Sequence, residues 1–460
     1  MCIRDRLVIT RASPGNLNRR EFWSKLPISR EKGAPFRLND IMSSNRFEEI
    51  IQGLIYTCND PPSFKDPFWE VREMILAWNN NMAVVFTSGW ITCLDESMSI
   101  WTSKWTCPGW IFCPRKPHPI GNEYHSICCG VCGIMFAIEL VEGKTRPKEL
   151  PTDPKTKKTT CLLLRLCKSL YSAGKVVILD SGFCVLEGLI ELRKVGVFAG
   201  ALIKKRRYWP KHVKGEMIDN HFKDKEVGQV DSWNGKLNDT PYDIFCLKEP
   251  DYVMKIMATY GELTFPDGQR ESTRVVQKDD GTTEIKKFQY AVPFAYHFDY
   301  RHIVDDHNGL RHMYPSLEQI WVTHRWPTRV FTFLLALSEI NTYLAFRFFV
   351  WSKEERIGLM EFRSKLGWAL IHNACVDKDE AIRSRKRKRS KISAHVLTNA
   401  PTHAKKFTGG KWDKSAKYKY QQYICRAAKC KKPVRTYCVC SVGEWLCQTC
   451  FTVHVIDADS

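Results

Sequence analysis

The sequence predicts an α/β protein: a core around a central parallel strand, a β-rich insertion and a small metal-binding end. Three observations predict it. The short, almost wholly apolar run from Lys175 to Leu179 lies between two helix-patterned stretches, as a central strand covered on both faces does. Residues 211 to about 290 switch to a charged, alternating pattern with two turn signals, Asp267-Gly268 and Asp280-Gly281. Six of the 19 cysteines fall in the last 36 residues, at spacings typical of metal ligands.

Taken in order, residues 1–40 are polar and carry no clear period, which predicts a mobile tail. Residues 41–88 are helical: Ile50, Ile51, Leu54 and Ile55, then Val71, Met74, Ile75 and Trp78 recur at helical spacing, interrupted at Asp60-Pro61-Pro62. Strand-like segments follow at Gly89 to Leu94, Trp110 to Cys113 and His125 to Leu140. A polar loop leads to a helix from about Thr159 to Ala173, which Gly174 is placed to end. The apolar strand comes next, then a helix from about Cys184 to Lys194 and a strand from Val197 to Ile203. These close a first core segment, 89–210; the insertion takes 211–292. From Asp299 the pattern is helical again, first as a core helix within 293–314 and then through 315–373. Three strands, a helix, a strand, a helix, a strand, an insertion and a further helix describe an RNase H-like layout.

Composition agrees with a folded, multidomain protein of 460 residues, 44% hydrophobic and 12% aromatic. The net charge of +20 is placed unevenly: Arg383 to Arg435 carries 18 Lys/Arg against one acid, Asp413. A stripe of this kind points to a polyanion, most often nucleic acid. RSRKRKRS, Arg383 to Ser390, reads as a nuclear import signal on a basic linker, 374–420. Cys128, Cys129, Cys132, Cys161 and Cys167 sit in apolar runs, where free thiols act as small hydrophobes, so the expected compartment is reducing. Met1-Cys-Ile-Arg-Asp-Arg lacks the apolar core of a signal peptide and reads as an adapter remnant ahead of a missing start. Val330 to Val350 is strongly apolar but contains Ser338, Glu339, Asn341 and Arg347, which predicts a buried helix and no membrane partner.

Three aspartates carry the chemistry. Asp95 follows Trp90-Ile-Thr-Cys-Leu94, Asp180 follows the central strand, and Asp305 lies in YRHIVDDHNGLRH. An aspartate after a strand is most often a turn residue. Three of them, far apart in sequence, are also what a two-metal phosphoryl-transfer site requires. On a helix Asp305, Asn308 and Gly309 share one face, and Asp306 points about 100° away. PRKPHPIGNEYH, with Arg115, Lys116, His118 and His125, reads equally as a rigid cationic loop for a phosphate backbone or as an exposed turn. Lys204, Lys205, Arg206 and Arg207 run into Tyr208 and Trp209, a combination that pairs phosphates and stacks bases.

Together PRKPHPIGNEYH…ELVEGKTRP, LDSGF, KKRRYWP and VDDHN, in this order, resemble the piggyBac family of DDE transposases and the piggyBac transposable element-derived proteins. The resemblance runs from about Phe47 to the C-terminus. It implies an RNase H-like catalytic core with an insertion, and a flanking helical DNA-binding and dimerisation part built from segments on both sides of that core. It implies catalysis by Asp95, Asp180 and Asp305 with Mg²⁺ or Mn²⁺, and double-stranded DNA, both transposon ends and TTAA targets, as substrate. A homodimer is implied as well. The family pattern often has a further Asp three residues after the third acid, where this chain has Asn308.

The end of the chain, 421–460, reads Cys425-x4-Cys430-x7-Cys438-x-Cys440-x6-Cys447-x2-Cys450-x3-His454. Paired thiolates with a trailing histidine fit tetrahedral Zn²⁺. These seven ligands are one short of two full sites: either His403 or Asp457 supplies the eighth, or one ion binds with cysteines left over. The short Cys438-x-Cys440 pair departs from the family's usual spacing. Three functions are open on this basis: an active transposase, a domesticated or decayed relative that binds DNA or chromatin without catalysis, and a RING-like ubiquitin ligase. The large α/β body argues against the last.

Overall fold

The computed structural model describes residues 22–23, 38–39, 42–62, 66–143, 156–204, 210, 213–268, 271–277, 280–314, 316–371, 397–399, 423–425, 430, 433–434 and 436–438. The chain divides into two compact units, Met1–Ile371 and His372–Ser460.

The first unit begins with helices α1 (Ser44–Gln52) and α2 (Trp69–Val85). Four strands follow: β1 (Ile91–Ile100), β2 (Trp110–Phe112), β3 (Ile120–Cys129) and β4 (Met135–Leu140). Then come α3 (Lys158–Leu166), β5 (Val176–Leu179), α4 (Leu186–Lys194) and β6 (Phe198–Leu202). After α5 (Gly215–His221) lie β7 (Val230–Leu237), β8 (Thr240–Lys248), β9 (Val253–Ala258) and the hairpin β10 (Ser272–Gln277) and β11 (Thr283–Phe288). Helices α6 (Val292–Tyr300), α7 (Ile303–His312), α8 (Leu317–Ile320), α9 (Trp326–Ala345) and α10 (Leu359–Ile371) complete it.

One sheet organises these elements, in the order β2-β3-β1-β5-β6-β9-β8-β7, with β4 also paired to β3. At its centre β1, β5 and β6 run parallel, and β3 runs antiparallel to β1. All four residues of β5 are buried, as its apolar run requires. One face packs Leu94, Ile127, Val177, Leu179, Ala199 and Ala201 under α3 and α4. The other packs Cys93, Tyr124, Cys128, Met135 and Ile138 under α2, α7 and α9.

Four expectations are revised. The stretch expected as one strand from His125 to Leu140 is two, β3 and β4, separated by a turn in which Gly133 adopts φ +76°. The insertion is not apart from the core, since β9 pairs with β6 and carries β8 and β7 into the same sheet. Strand β6 would otherwise present an unpaired edge, and β9 satisfies its backbone groups. Of the two Asp-Gly signals, Asp280-Gly281 lies in the β10–β11 turn, while Asp267-Gly268 joins no strand pair among the described residues. A tight turn that the Asp-Gly signals did not mark is Asn238-Asp239 between β7 and β8, both at positive φ, 50° and 59°. Within the expected tail, Phe22 and Leu38 are buried against Phe47.

The helical stretch from Trp326 to Val350 is long and apolar enough to cross a membrane by length and composition. Here Val330, Phe333, Leu337 and Ile340 on it are fully buried in the protein core. In the second unit, strand β12 (Leu397–Asn399) pairs with β15 (Thr436–Cys438), and β13 (Tyr423–Ile424) with β14 (Pro433–Val434).

Candidate active site

The sheet itself brings two of the three aspartates together. In the parallel pair β1–β5, Leu94 is in register with Leu179, so the next residues, Asp95 and Asp180, are neighbours across the sheet. Adjacent strands lie about 4.8 Å apart. The RNase H-like layout expects the first aspartate on the first strand, and Asp95 is there; only the strand's expected end at Leu94 is revised, since β1 runs on to Ile100 with Asp95 near its middle, opposite Ser126 of β3. It is β5 that stops, and its chain turns away at Asp180 into a short 3-10 turn, Ser181–Phe183. The carboxyl end of a parallel strand, where its neighbour departs, is a common place for a ligand crevice.

Helix α7 supplies the third. It lies on the Cys93–Asp95 face of β1, since residues two apart in a strand point the same way. The Cys93 thiol donates to the Arg301 carbonyl at 3.5 Å, just ahead of α7. Asp305 sits on the first turn, and Asn308, Gly309 and His312 follow it along the helix face turned to β1. All of them, with Asp95 and Asp180, line one cavity of about 550 Å³. Asp306 is not part of that wall.

The loop before β3 completes the site. Its backbone is closed by hydrogen bonds from Cys113 N–H to the Pro119 carbonyl at 2.7 Å and from Lys116 N–H to the Cys113 carbonyl at 3.1 Å. Lys116, expected on a phosphate-facing surface, instead extends between the acids. Its Nζ lies 3.8 Å from Asp95 Oδ2, 3.8 Å from Glu96 Oε2 and 3.5 Å from Asp305 Oδ1, and donates to the Glu96 carbonyl at 3.2 Å. The two aspartate oxygens are therefore no farther apart than the sum of their distances to that nitrogen. Arg115, His118 and Lys204 also line the cavity, as Glu96, His297, Arg301 and His302 do. His118 packs its ring on His312, centroids 4.1 Å apart. His125 lies against Phe183, 5.2 Å between rings, and 3.9 Å from Glu123. Lys205, Arg206, Arg207, Tyr208 and Trp209 lie outside the described residues.

Burial sets the electrostatics. Desolvation raises Asp95 to about 7, with Lys116 pulling the other way. Glu123 is raised to about 7 by burial and by Glu96. Burial lowers Lys116, but Asp95, Asp305 and Glu96 more than offset this and hold it above its ordinary value. Burial and Arg301 push His297 down to about 4, and burial with Arg311 and His118 pushes His312 to about 2, so both rings are neutral. His297 keeps an unpartnered Nε2 at the cavity wall.

Asn308 is held by its surroundings. Its Oδ1 accepts from Arg311 Nη2 at 3.2 Å, and its Nδ2 donates to the Glu96 carbonyl at 3.4 Å. Arg311 is itself fully buried and paired with buried Glu318, which accepts from Ser99 Oγ at 2.9 Å. Sequence reasoning missed Glu96, His297 and His312. Only His312 left a local signal, standing four residues after Asn308 on the same helix face.

The donor set fits a hard divalent cation in kind, since carboxylate oxygens face a cavity that already admits an ammonium between two of them. Among the described residues no group of three or more His, Cys, Asp or Glu is gathered closely enough to hold a metal ion. Of the expected zinc ligands, Cys425 is buried, Cys430 is half-buried and Cys438 ends β15. Cys440, Cys447, Cys450 and His454, with His403 and Asp457, lie outside the described residues, so the expected zinc site lies mostly beyond them.

A family model described as Transposase IS4 matches residues 12–343. In fold, the chain is similar to a piggyBac transposase solved as a synaptic complex with hairpin DNA, with a TM-score of 0.58 and 14% sequence identity. The match covers 97% of this chain and 87% of that one. The comparison with curated proteins gave no matching relative.

Proposed function

This chain belongs to the piggyBac-type IS4 transposase family, and on that premise we propose that it is a DDE transposase that cuts DNA strands at transposon ends and joins them to target DNA. One observation carries the reading: Asp95, Asp180 and Asp305, from three separate elements, line the same cavity. The strand order β3-β1-β5-β6, with three parallel members and α7 across them, supports an RNase H-like core.

In this reading Asp95, Asp180 and Asp305 hold the catalytic cations, and Arg115 and Lys204 at the cavity wall neutralise the DNA backbone. Bound Mg²⁺ or Mn²⁺ would supply Lewis-acid activation of a water or 3′-OH and of the leaving oxygen. Asp95 must be ionised to serve, and the Lys116 ammonium beside it favours the ionised form until a cation takes its place. Neutral His297 and His312 add hydrogen-bonding surface without competing charge. Double-stranded DNA with TTAA targets, a homodimer, nuclear import through RSRKRKRS and zinc held by the cysteine-rich end belong to the same proposal.

Asn308 favours a second reading, a relative that binds DNA or chromatin without catalysis. It brings no charge where the family pattern often has Asp, and Arg311 occupies its oxygen.

The test is strand cleavage by the full chain on linear DNA carrying the element's own terminal repeats, with Mg²⁺ or Mn²⁺. Cleavage leaving a free 3′-OH, lost in Asp95→Asn, Asp180→Asn and Asp305→Asn, is the expected result. DNA binding that persists with no cleavage under either cation would replace this reading with the second.

A further inference from the structure

We propose that Lys116 is a positioning residue, an internal counter-ion that holds Asp95 and Asp305 facing each other before a divalent cation arrives and withdraws when one enters. The proposal rests on the reading of these aspartates as cation ligands.

The geometry carries it. The Lys116 ammonium is within 3.8 Å of Asp95 and 3.5 Å of Asp305, two carboxylates contributed by different elements. Its fourth contact, to the Glu96 carbonyl at 3.2 Å, fixes it over β1. No other Lys or Arg is bonded to Asp95 or Asp305 among the described residues. Without Lys116, acids brought to one cavity would repel one another, and the buried one, Asp95, would be left with no charged partner of opposite sign. A cation bridging those carboxylates and the Lys116 head group cannot share the space between them. The loop backbone is tied at Cys113 and Pro119, so withdrawal is a movement of the flexible four-carbon stem, not of the loop. A freed ammonium on this stem would stay in the cavity that Arg115 also lines, where a DNA phosphate would meet both. By sequence Lys116 belonged to a loop that reads equally as phosphate-binding or as an exposed turn; the structure places it on the acids.

The experiment titrates Mn²⁺ into the full-length protein without DNA, at alkaline pH, and follows the free ion by its paramagnetic resonance signal. Lys116→Met keeps the stem and removes the charge. It should tighten Mn²⁺ binding by roughly tenfold or more, because one positive charge at contact distance no longer competes. Lys104→Met makes the same change of net charge outside the cavity and should bind as wild type does. Lys116→Arg keeps the charge and should not tighten binding. In the presence of a chelator, Lys116→Met should melt below wild type, and Mn²⁺ should raise its melting temperature more than it raises that of wild type. Equal affinity in Lys116→Met and wild type, with Asp95→Asn binding weakly, would overturn the proposal and leave the acid site standing. If Asp95→Asn binds as wild type does, both the acid site and this proposal fall. Tightening in Lys116→Arg would show that shape, not charge, is responsible, and would also overturn it.

Discussion

Arg311 donates through one nitrogen both to Asn308 Oδ1, at 3.2 Å, and to the Met98 carbonyl of β1, at 2.7 Å. The guanidinium thus bolts helix α7 to the strand that carries Asp95, three residues past it. Its own charge is met by Glu318, and both side chains are out of solvent. Asp305 faces Asp95 because this bracket sets the height of the helix over the strand.

Removing half of that bracket should be severe. Arg311→Met leaves Glu318 buried and uncompensated, which costs about 3–5 kcal/mol. Arg311→Met with Glu318→Leu should recover part of the loss, because Glu318 is no longer left buried without Arg311, although Arg329 then loses the acid that faces it. Urea denaturation of both proteins measures it; equal stability of the single and double variants would contradict the bracket.

Asn308→Asp should leave Mn²⁺ affinity near that of wild type, despite restoring the acid the family pattern often has. The new carboxylate would be drawn to Arg311, which already binds the oxygen at that position. A large gain in affinity would show instead that the side chain swings into the cavity.

The acidity of Asp95 predicts a pH dependence for the metal-free protein. Its folded-state value, about 7, lies above its ordinary 3.8, so the stability it contributes is full below the lower value and drains away as pH rises through the higher one. In chelator, wild type should therefore lose a few kcal/mol relative to Asp95→Asn across that interval. His307 and His312, lowered to about 3 and about 2, act in the opposite sense as acid is added, but they are common to both proteins and cancel in the difference. A flat difference curve would refute the shift.

Two adjacent aspartates on α7 should behave differently. Asp305→Asn removes a cavity carboxylate, and a metal's several kcal/mol of charge stabilisation converts to a cleavage loss on the order of a thousandfold or more. Asp306→Asn, off the cavity wall, should cleave at close to the wild-type rate. Cleavage assays under identical metal and DNA decide; equal losses would mean the helix face has been misread.

Gly121 is strained in a way that only glycine tolerates. It has φ +137°, and a Cβ there would collide with the Ser99 carbonyl of β1. Gly121→Ala should destabilise the protein by about 3 kcal/mol or more, by analogy with other overpacked and strained sites. Thermal unfolding reads the loss; a neutral result would mean that β3 shifts at little cost.

Local signals carried much of this protein. The all-apolar run of β5, the acid that follows it, and the shared face of Asp305, Asn308 and Gly309 depend on nearest neighbours and helical or strand period, and these were legible in the chain. So were the motifs in order, which named the family. Other features were decided only by tertiary structure, because they depend on partners far off in sequence. The first strand runs through Asp95 because β3 pairs with it out to Ile100, while β5 ends at Leu179, so the parallel pairing stops just before Asp95. The β-rich insertion joins the central sheet because β6 has an open edge that β9 fills. Lys116, which by sequence is one cation in a loop, turns inward because two acids converge where its side chain can reach them. Periodicity tells which face of an element is buried; what that face meets is set by the three-dimensional arrangement of backbone edges and buried charges that must each find a partner.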